Sequence, residues 1–222
     1  MKILFFLLAF CTVSACEKTT AQHSKEHKME QEDLVKLVTK NDIVKLKNAL
    51  DKGADVNTKN QNGQSLLLIA VIGKQTEMAK LLVTYKADVN LQDSQKDSAF
   101  LYAGAGGQTE LVKLFLQNGA RFDVFNRYNG TALIPACERG HVETVKILAN
   151  TKDFPIDHVN RLGWTALMEA VVLGDGSEKY QQIIKILKQA DANLNIPDKD
   201  GVTALQHAKS LGFKAIVKIL ES

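Results

Sequence analysis

From about residue 32 to the C-terminus, apolar residues recur in short blocks that are separated by stretches rich in Gly, Asn and Asp. Each unit opens on a Ser or Thr and carries an Ala five residues later. The five openings are Ser65, Ser98, Thr131, Thr165 and Thr203. Their separations of 33, 33, 34 and 38 residues are typical of a chain built from one repeated supersecondary unit.

Each of these units is predicted to contain two helices. The Ser or Thr hydroxyl can accept one of the unpaired N–H groups at a helix start, so these five residues are predicted N-caps. A second block, such as residues 143–148, places apolar residues at helical spacing around a lysine. The stretches between units, such as residues 53–57 and 198–201, suit a Gly-ended helix followed by a tight hairpin. The sequence therefore predicts an all-α chain of helix-turn-helix units.

The N-terminal residues follow a different pattern. Lys2 precedes an unbroken apolar run over residues 3–10, and small residues follow at positions 13–15. The run is shorter than the roughly 20 apolar residues that a membrane-spanning helix needs. Residues 1–15 are therefore predicted to be a secretory signal peptide.

Val13-Ser14-Ala15-Cys16 resembles the lipobox of bacterial lipoproteins. The resemblance implies that Cys16 carries several acyl chains, which hold a protein at a membrane far more firmly than one chain does. It also implies a location in the bacterial cell envelope, facing the periplasm. The alternative is a plain signal peptide with an incidental cysteine.

Residues 16–30 are polar and charged, without apolar periodicity, and are predicted to be a flexible tether to a domain over residues 31–222. His23 and His27 are four residues apart in this segment. Two imidazoles at that spacing could share a helical face as metal ligands. Two ligands in a flexible segment make a weak site, so we expect a solvated linker there.

Composition and charge limit the classes of function that the protein could have. The 222 residues are 45% hydrophobic and carry 28 Lys and Arg against 25 Asp and Glu, for a net charge of +3. This balance is ordinary for a globular protein and argues against a dedicated nucleic-acid binder, which usually has a strong basic excess. Cys11 would leave with the signal and Cys16 would carry lipid, so Cys137 has no disulfide partner. We expect Cys137 to pack in the core rather than to act as a reactive thiol.

The sequence carries no recognisable catalytic constellation. Residues 104–107 are rich in Gly, but no strand precedes them as a phosphate-binding loop requires. Cys-x-x-Cys and Gly-x-Ser-x-Gly patterns are absent from the sequence. We therefore expect no catalytic residue, no metal and no cofactor, and a protein that is not an enzyme.

The period and two short stretches of sequence resemble the ankyrin repeat. Gly140-His141-Val142-Glu143 and the Gly-Ala-Asp-Val-Asn of residues 53–57 match that family almost letter for letter. The family also has a Thr-Pro-Leu-His motif, and in every unit of this chain other residues replace its Pro and its His. The resemblance implies an all-α solenoid of about six units joined by β-hairpin-like turns, with degenerate units over residues 32–51 and 198–222 as caps.

Ankyrin repeats work as binding scaffolds, and the resemblance implies binding at the hairpin tips and on the concave face of the first helices. The fourth and fifth units carry Trp, Tyr and Arg, the residues enriched in interface hot spots. The candidate partner-binding residues are Arg127, Tyr128, Arg139, Arg161, Leu162 and Trp164. The alternative for Tyr128 and Trp164 is packing against the neighbouring hairpins.

Two further features leave alternatives open. About five extra residues around 174–178 separate the two blocks of the fifth unit and are expected to form a loop, either as a specificity element or by neutral drift. Lysines at equivalent places in the second blocks form either a solvated stripe or a contact for anionic lipid headgroups. They are Lys47, Lys80, Lys113, Lys146, Lys185 and Lys218.

These patterns together predict a monomeric, membrane-tethered scaffold that binds a partner protein and no nucleic acid. The partner could be an envelope enzyme that the scaffold adapts or chaperones. The scaffold could also be an immunity protein that neutralises a toxin acting in the periplasm. A small-ligand carrier or an enzyme that uses the concave groove is the competing class.

Overall fold

The structure is a computed structural model that describes residue 31 and residues 33–222. The expected signal peptide, the tether, His23, His27 and the predicted lipidation site Cys16 lie outside the described residues.

The described chain folds into helices that come in pairs, one pair to each repeat unit. Residues 33–39 form the described part of α1. The other helices are α2 (Ile43–Asp51), α3 (Leu66–Ile72), α4 (Thr76–Thr84), α5 (Ala99–Ala105), α6 (Thr109–Leu116), α7 (Leu133–Glu138), α8 (Val142–Ala149), α9 (Ala166–Val172), α10 (Glu178–Gln189), α11 (Ala204–Ser210) and α12 (Lys214–Glu221). None of the helices within this part of the chain is long and apolar enough to cross a membrane.

The helices are arranged in two layers. From α3 to α11 the first helix of each unit packs against the first helix of the next, and from α2 to α12 the second helices pack in the same way. From α3 to α12, the first helix of each pair packs on the second. The result is an all-α solenoid, in which the β pairing among residues 33–222 is limited to one bridge between Lys59 and Ser65.

The core runs continuously through both layers from Leu34 to Leu220. The alanine five residues after each unit opening is completely buried in all five units, which allows adjacent first helices to approach closely. These residues are Ala70, Ala103, Ala136, Ala170 and Ala208. Cys137 is also fully buried, as predicted, and burial raises the pKa of its thiol well above the usual value. It is therefore a packing residue and a poor nucleophile.

Four of the five predicted N-caps form. The hydroxyl oxygens of Ser65, Ser98, Thr165 and Thr203 each accept a hydrogen bond from the backbone N–H three residues later, at 3.1 to 3.4 Å. In the last unit, Gln206 also accepts from the backbone N–H of Thr203, which completes a reciprocal capping box. The sequence thus predicted the N-caps of these four helices correctly.

The prediction was wrong at Thr131. The Thr131 hydroxyl is buried and has no hydrogen-bond partner in the described part of the chain, and α7 begins only at Leu133. The cause is Pro135, which has no N–H to donate to the Thr131 carbonyl, so the first helical turn cannot close there. The fourth unit therefore has the shortest first helix of those bounded above, with six residues.

An Asn or Asp side chain organises the hairpin between successive units. Its Oδ1 accepts hydrogen bonds from the backbone N–H groups two and four residues later, at 2.8 to 3.1 Å. Its backbone N–H donates to the carbonyl four residues later, at 2.9 or 3.0 Å. The five residues are Asn60, Asp93, Asn126, Asn160 and Asp198. This arrangement fixes the backbone of every tip.

A second set of side chains joins neighbouring units. Asn57 accepts from the N–H of Asp88 at 2.9 Å, and Asn90 accepts from the N–H of Arg121 at 2.8 Å. Asp157 repeats the contact further along the chain, with the N–H of Asn193 at 2.8 Å.

The contact between units is missing at Asp123. The residue of the next unit that should donate to it is Pro155, which has no N–H. Asp123 pairs instead with Arg121 of its own turn, at 2.7 and 2.9 Å.

The extra residues of the fifth unit were predicted to form a loop, and only part of them does so. The connection between α9 and α10 has two residues more than the connection between α3 and α4, but the rest of the insertion lengthens α10 to 12 residues. The inserted segment is also packed. Tyr180 is buried and its hydroxyl donates to the carbonyl of Glu138 at 2.8 Å, and a side chain at Gly174 would lie 2.2 Å from the carbonyl oxygen of Ala170.

The difference between Thr131 and Thr165 gives a matched test. Thr165→Val removes a working N-cap and should cost about 1 kcal/mol of unfolding free energy. Thr131→Val removes a buried hydroxyl that has no partner, so it should leave the stability unchanged or raise it by up to about 1 kcal/mol. Urea unfolding followed by circular dichroism measures both. Equal losses in the two variants would contradict this account of the fourth unit.

Candidate functional site

A groove of about 500 Å³ lies across the third, fourth and fifth units. Its walls come from α5, α7 and α9, from the two hairpins that follow the third and fourth units, and from Asp97 just before α5. It is lined by Asp97, Leu101, Tyr102, Ala105, Asn126, Arg127, Tyr128, Gly130, Ile134, Pro135, Glu138, Arg139, Asn160, Leu162, Glu169 and Leu173. The groove therefore opens on the first-helix layer and the tips.

Four of the six candidate partner-binding residues line this groove: Arg127, Tyr128, Arg139 and Leu162. The side chains of Tyr128 and Leu162 are half exposed, at 51% each. They are held at fixed positions because the carboxamide oxygens of Asn126 and Asn160 accept their backbone N–H groups, each at 2.9 Å. The groove thus presents apolar side chains on a rigid backbone.

The other two candidates, Arg161 and Trp164, do not line the groove. The Arg161 side chain is exposed, while its backbone N–H donates to the carbonyl of Tyr128 at 2.8 Å and its carbonyl accepts from the side chain of Lys199. Trp164 is partly buried and packs against the core. The structure therefore agrees with the alternative for Trp164, which is packing within the protein.

Both arginines of the groove are already engaged within the protein. The guanidinium carbon of Arg127 lies 5.0 Å from the centre of the Tyr128 ring, and its Nη1 lies 3.8 Å from Oδ2 of Asp97. Arg139 donates from Nη1 to the carbonyl of Ala105 at 2.8 Å. Burial, followed by the nearby Asp93, raises the pKa of Asp97, and Arg127 and Arg139 act in the opposite direction.

The sequence did not reveal the pairing of Glu169 with Asn160 at the base of the groove. The Glu169 side chain is only 4% exposed, and its Oε1 accepts from Nδ2 of Asn160 at 2.8 Å. Burial, and then the charge of Glu138, raises the pKa of Glu169 to about 7. Asn160 thus holds both the hairpin tip and the buried carboxyl group.

The sixth unit has an equivalent pair, which shows what signal could have revealed the first. His207 lies 2.7 Å from Oδ2 of Asp198, again nine residues away along the chain. The hydrogen bond with His207 is the main reason that the pKa of Asp198 is lowered. The same helix position is apolar or aromatic in the earlier units, as at Ile69 and Tyr102, so a Glu there departs from the repeat.

The second-helix layer carries the lysine row. Lys80 lies 2.8 Å from Glu77 and 2.6 Å from Glu110 of the next unit, and Lys47 lies 2.7 Å from Asp51. Among the residues described, no group of three or more His, Cys, Asp or Glu side chains is placed to hold a metal ion.

The buried carboxyl group makes the stability depend on pH. In the folded protein Glu169 keeps its proton up to about pH 7, whereas its usual pKa is 4.5. The folded state therefore binds more protons between these values, and the site's contribution to stability falls as the pH rises through that window. Glu169→Gln has no such proton to lose. Its free energy of unfolding should therefore rise relative to that of the native chain as the pH increases, by a few kcal/mol in all at about 1.4 kcal/mol per pKa unit. The difference should level off above about pH 8.

Urea unfolding at pH 5, 6, 7 and 8 measures this difference. Glu143→Gln, at an exposed position of α8, is the matched control and should show no such trend. A difference between Glu169→Gln and the native chain that does not change with pH would contradict a neutral buried Glu169.

The comparisons with known proteins agree with the architecture. The family model for ankyrin repeats (3 copies) matches residues 32–126 and 100–198. The putative ankyrin repeat protein YahD of Escherichia coli K12 is 39% identical over 74 residues, which are 33% of this chain. That alignment covers only 36% of the length of the curated relative.

Solved structures match over most of the chain. An ankyrin repeat domain from Acinetobacter baumannii AYE is 43% identical with a TM-score of 0.83, over 85% of this chain and 96% of its own. The ankyrin repeat protein EF0377 is 40% identical with a TM-score of 0.82, over the same shares. The ankyrin repeat domain of Bcl-3, 24% identical with a TM-score of 0.74 over 85% of this chain and 84% of its own, shows the likeness of fold alone. This chain belongs to the ankyrin repeat family.

Proposed function

We propose that this protein is a membrane-tethered scaffold of a bacterial cell envelope that faces the periplasm and binds a partner protein in the groove of its third to fifth units. Ankyrin repeat domains generally mediate protein–protein interaction. The observation that carries the proposal here is the gathering of exposed apolar and arginine side chains around one groove.

The exposed apolar residues are not spread evenly over the surface. Three of the seven large apolar side chains that are exposed among the described residues line the groove: Tyr128, Leu162 and Leu173. Clustered exposed apolar side chains mark interaction surfaces, whereas single ones need no explanation. Arg127 and Arg139 stand beside them, and Tyr and Arg are residues that dominate binding energy at interfaces.

The hydrogen bonds at the tips add to this argument. The backbone of Tyr128 and Leu162 is fixed by side-chain hydrogen bonds before any partner arrives. A surface that is already ordered loses less conformational entropy on binding. The groove therefore combines contact area with preorganisation, as a protein-binding site requires.

A crosslinked capture from the cell envelope tests the proposal. A double variant, Tyr128→Ala with Leu162→Ala, should lose about 2 kcal/mol or more of partner binding while keeping its helicity, because truncation at an interface hot spot costs this much. The matched control is Val44→Ala, since Val44 is 72% exposed but lies on α2, outside the groove.

One dominant partner that is captured by the native chain and by Val44→Ala, and lost in the double variant, is the expected result. Equal capture by all three proteins would contradict binding in the groove. If no protein is captured at all, a small-ligand carrier becomes the better account.

The envelope location depends on Cys16. It is supported by the small-residue approach to the cysteine and by a polar segment of 14 residues, 17–30, before the first unit. A coil of that length reaches about 20 Å, enough to hold the solenoid clear of a membrane surface.

Labelling with radioactive palmitate, followed by fractionation, tests this location. Cys16→Ser should abolish the label and move the protein from the membrane pellet to the supernatant, because the acyl chains would be lost. Cys11→Ser, within the predicted signal, is the matched control and should keep both the label and the pellet location. Label retained in Cys16→Ser would disprove the assignment.

A further inference from the structure

Two carboxyl groups at the base of the groove have no cationic partner within the described residues. Glu138, at the end of α7, and Glu169, on the neighbouring α9, both line the groove. The ion pairs of the described chain involve neither of them. The two arginines of the groove do not fill this role, since Arg127 faces Asp97 and Arg139 is bonded to the carbonyl of Ala105.

The Glu169 carboxyl group is held in place with one oxygen left open. Its Oε1 accepts from Nδ2 of Asn160, whose own Oδ1 accepts the backbone N–H groups of Leu162 and Trp164. Its Oε2 has no hydrogen bond to any described residue, although the residue as a whole is only 4% exposed. Glu169 therefore presents a fixed and unused acceptor to the groove.

The groove that holds these carboxyl groups also has apolar lining residues. Leu162 and Leu173 line the groove and are 51% and 48% exposed. The aliphatic stems of Lys and Arg lie readily along such surfaces while the charged head reaches a polar partner. The two half-exposed leucines could contact such a stem, and the two carboxyl groups in the same groove could receive its charged head.

We propose that this part of the groove binds a lysine or arginine side chain of the partner protein, with its stem along Leu162 and Leu173 and its cationic head at Glu138 and Glu169. The inference rests on the proposed function and names the chemistry of its partner. Charge complementarity carries it, because a cation would neutralise two neighbouring carboxylates that nothing else in the described chain neutralises.

Binding of this kind is coupled to a proton. α9 packs against α7, α10 and α11, whose titratable residues include Cys137 and Glu138, Tyr180, and His207, which is paired with Asp198. The raised pKa of Glu169 means that the Glu169 carboxyl group is largely protonated below neutral pH when the groove is empty. A cation favours the charged carboxylate, so binding should release a proton and weaken as the pH falls through 7.

NMR titration of the full chain in detergent tests the inference with defined probes. Nα-acetyl-lysine methylamide and its arginine equivalent are the cationic probes, with the norleucine and glutamate equivalents as neutral and anionic controls. The cationic probes should shift the methyl signals of Leu162 and Leu173 at pH 8, with affinities up to about tenfold weaker at pH 5.5.

Matched variants test whether Glu138 and Glu169 are the residues that bind the cationic probes. Glu169→Gln and Glu138→Gln should each weaken the cationic probes by about tenfold at pH 8, the size of one lost charged contact. Glu143→Gln on the outer helix α8 should leave them unchanged. Equal shifts with the norleucine probe, or shifts with the glutamate probe alone, would overturn the inference.

Capture from the envelope separates this inference from the proposed function. If the groove variants at Tyr128 and Leu162 lose the partner while Glu169→Gln keeps it at full affinity, the groove binds a protein but the cation site is wrong. If none of these variants loses the partner, the proposed function itself fails.

Discussion

A side-chain oxygen of one Asn or Asp in each hairpin accepts two backbone N–H groups, and the shape of the proposed binding face depends on this contact. It determines where the tip residues Tyr128 and Leu162 stand relative to the helices. In the fifth unit the same residue, Asn160, also holds the buried carboxyl group of Glu169. One amide side chain thereby links the backbone of the tip to the charge at the base of the groove.

Stability and function are distributed differently along the stack. No unit buries its helices alone, so the core and the contacts made by Asn57, Asn90 and Asp157 pass from each unit to the next. Two prolines interrupt this order near the groove: Pro135 removes the N-cap contact of Thr131, and Pro155 removes the donor that Asp123 would need. One of these two prolines, Pro135, also lines the groove.

The repeat and most of its helix starts could be predicted from the sequence because they depend on local spacing. The missing cap at Thr131 could not be predicted in this way, since it depends on a proline four residues later. The fifth-unit insertion lengthens α10, and Tyr180 of that helix forms a hydrogen bond with another unit, which spacing along the chain does not predict. The site was predicted in part. Residue type and place at a hairpin tip made Tyr128 and Leu162 candidates, and the structure places both at the groove. The pairing of Glu169 with Asn160 and the packing of Trp164 follow from tertiary contacts that spacing does not encode.

Hydrogen exchange of the backbone, measured with and without the captured partner, tests the central claim that the groove and tips of the third to fifth units form the binding surface. The account predicts slower exchange on binding at residues 127–130 and 161–164, with no change in the outer helices α4, α6 and α8. Protection confined to those outer helices, with unchanged exchange at the tips, would contradict it.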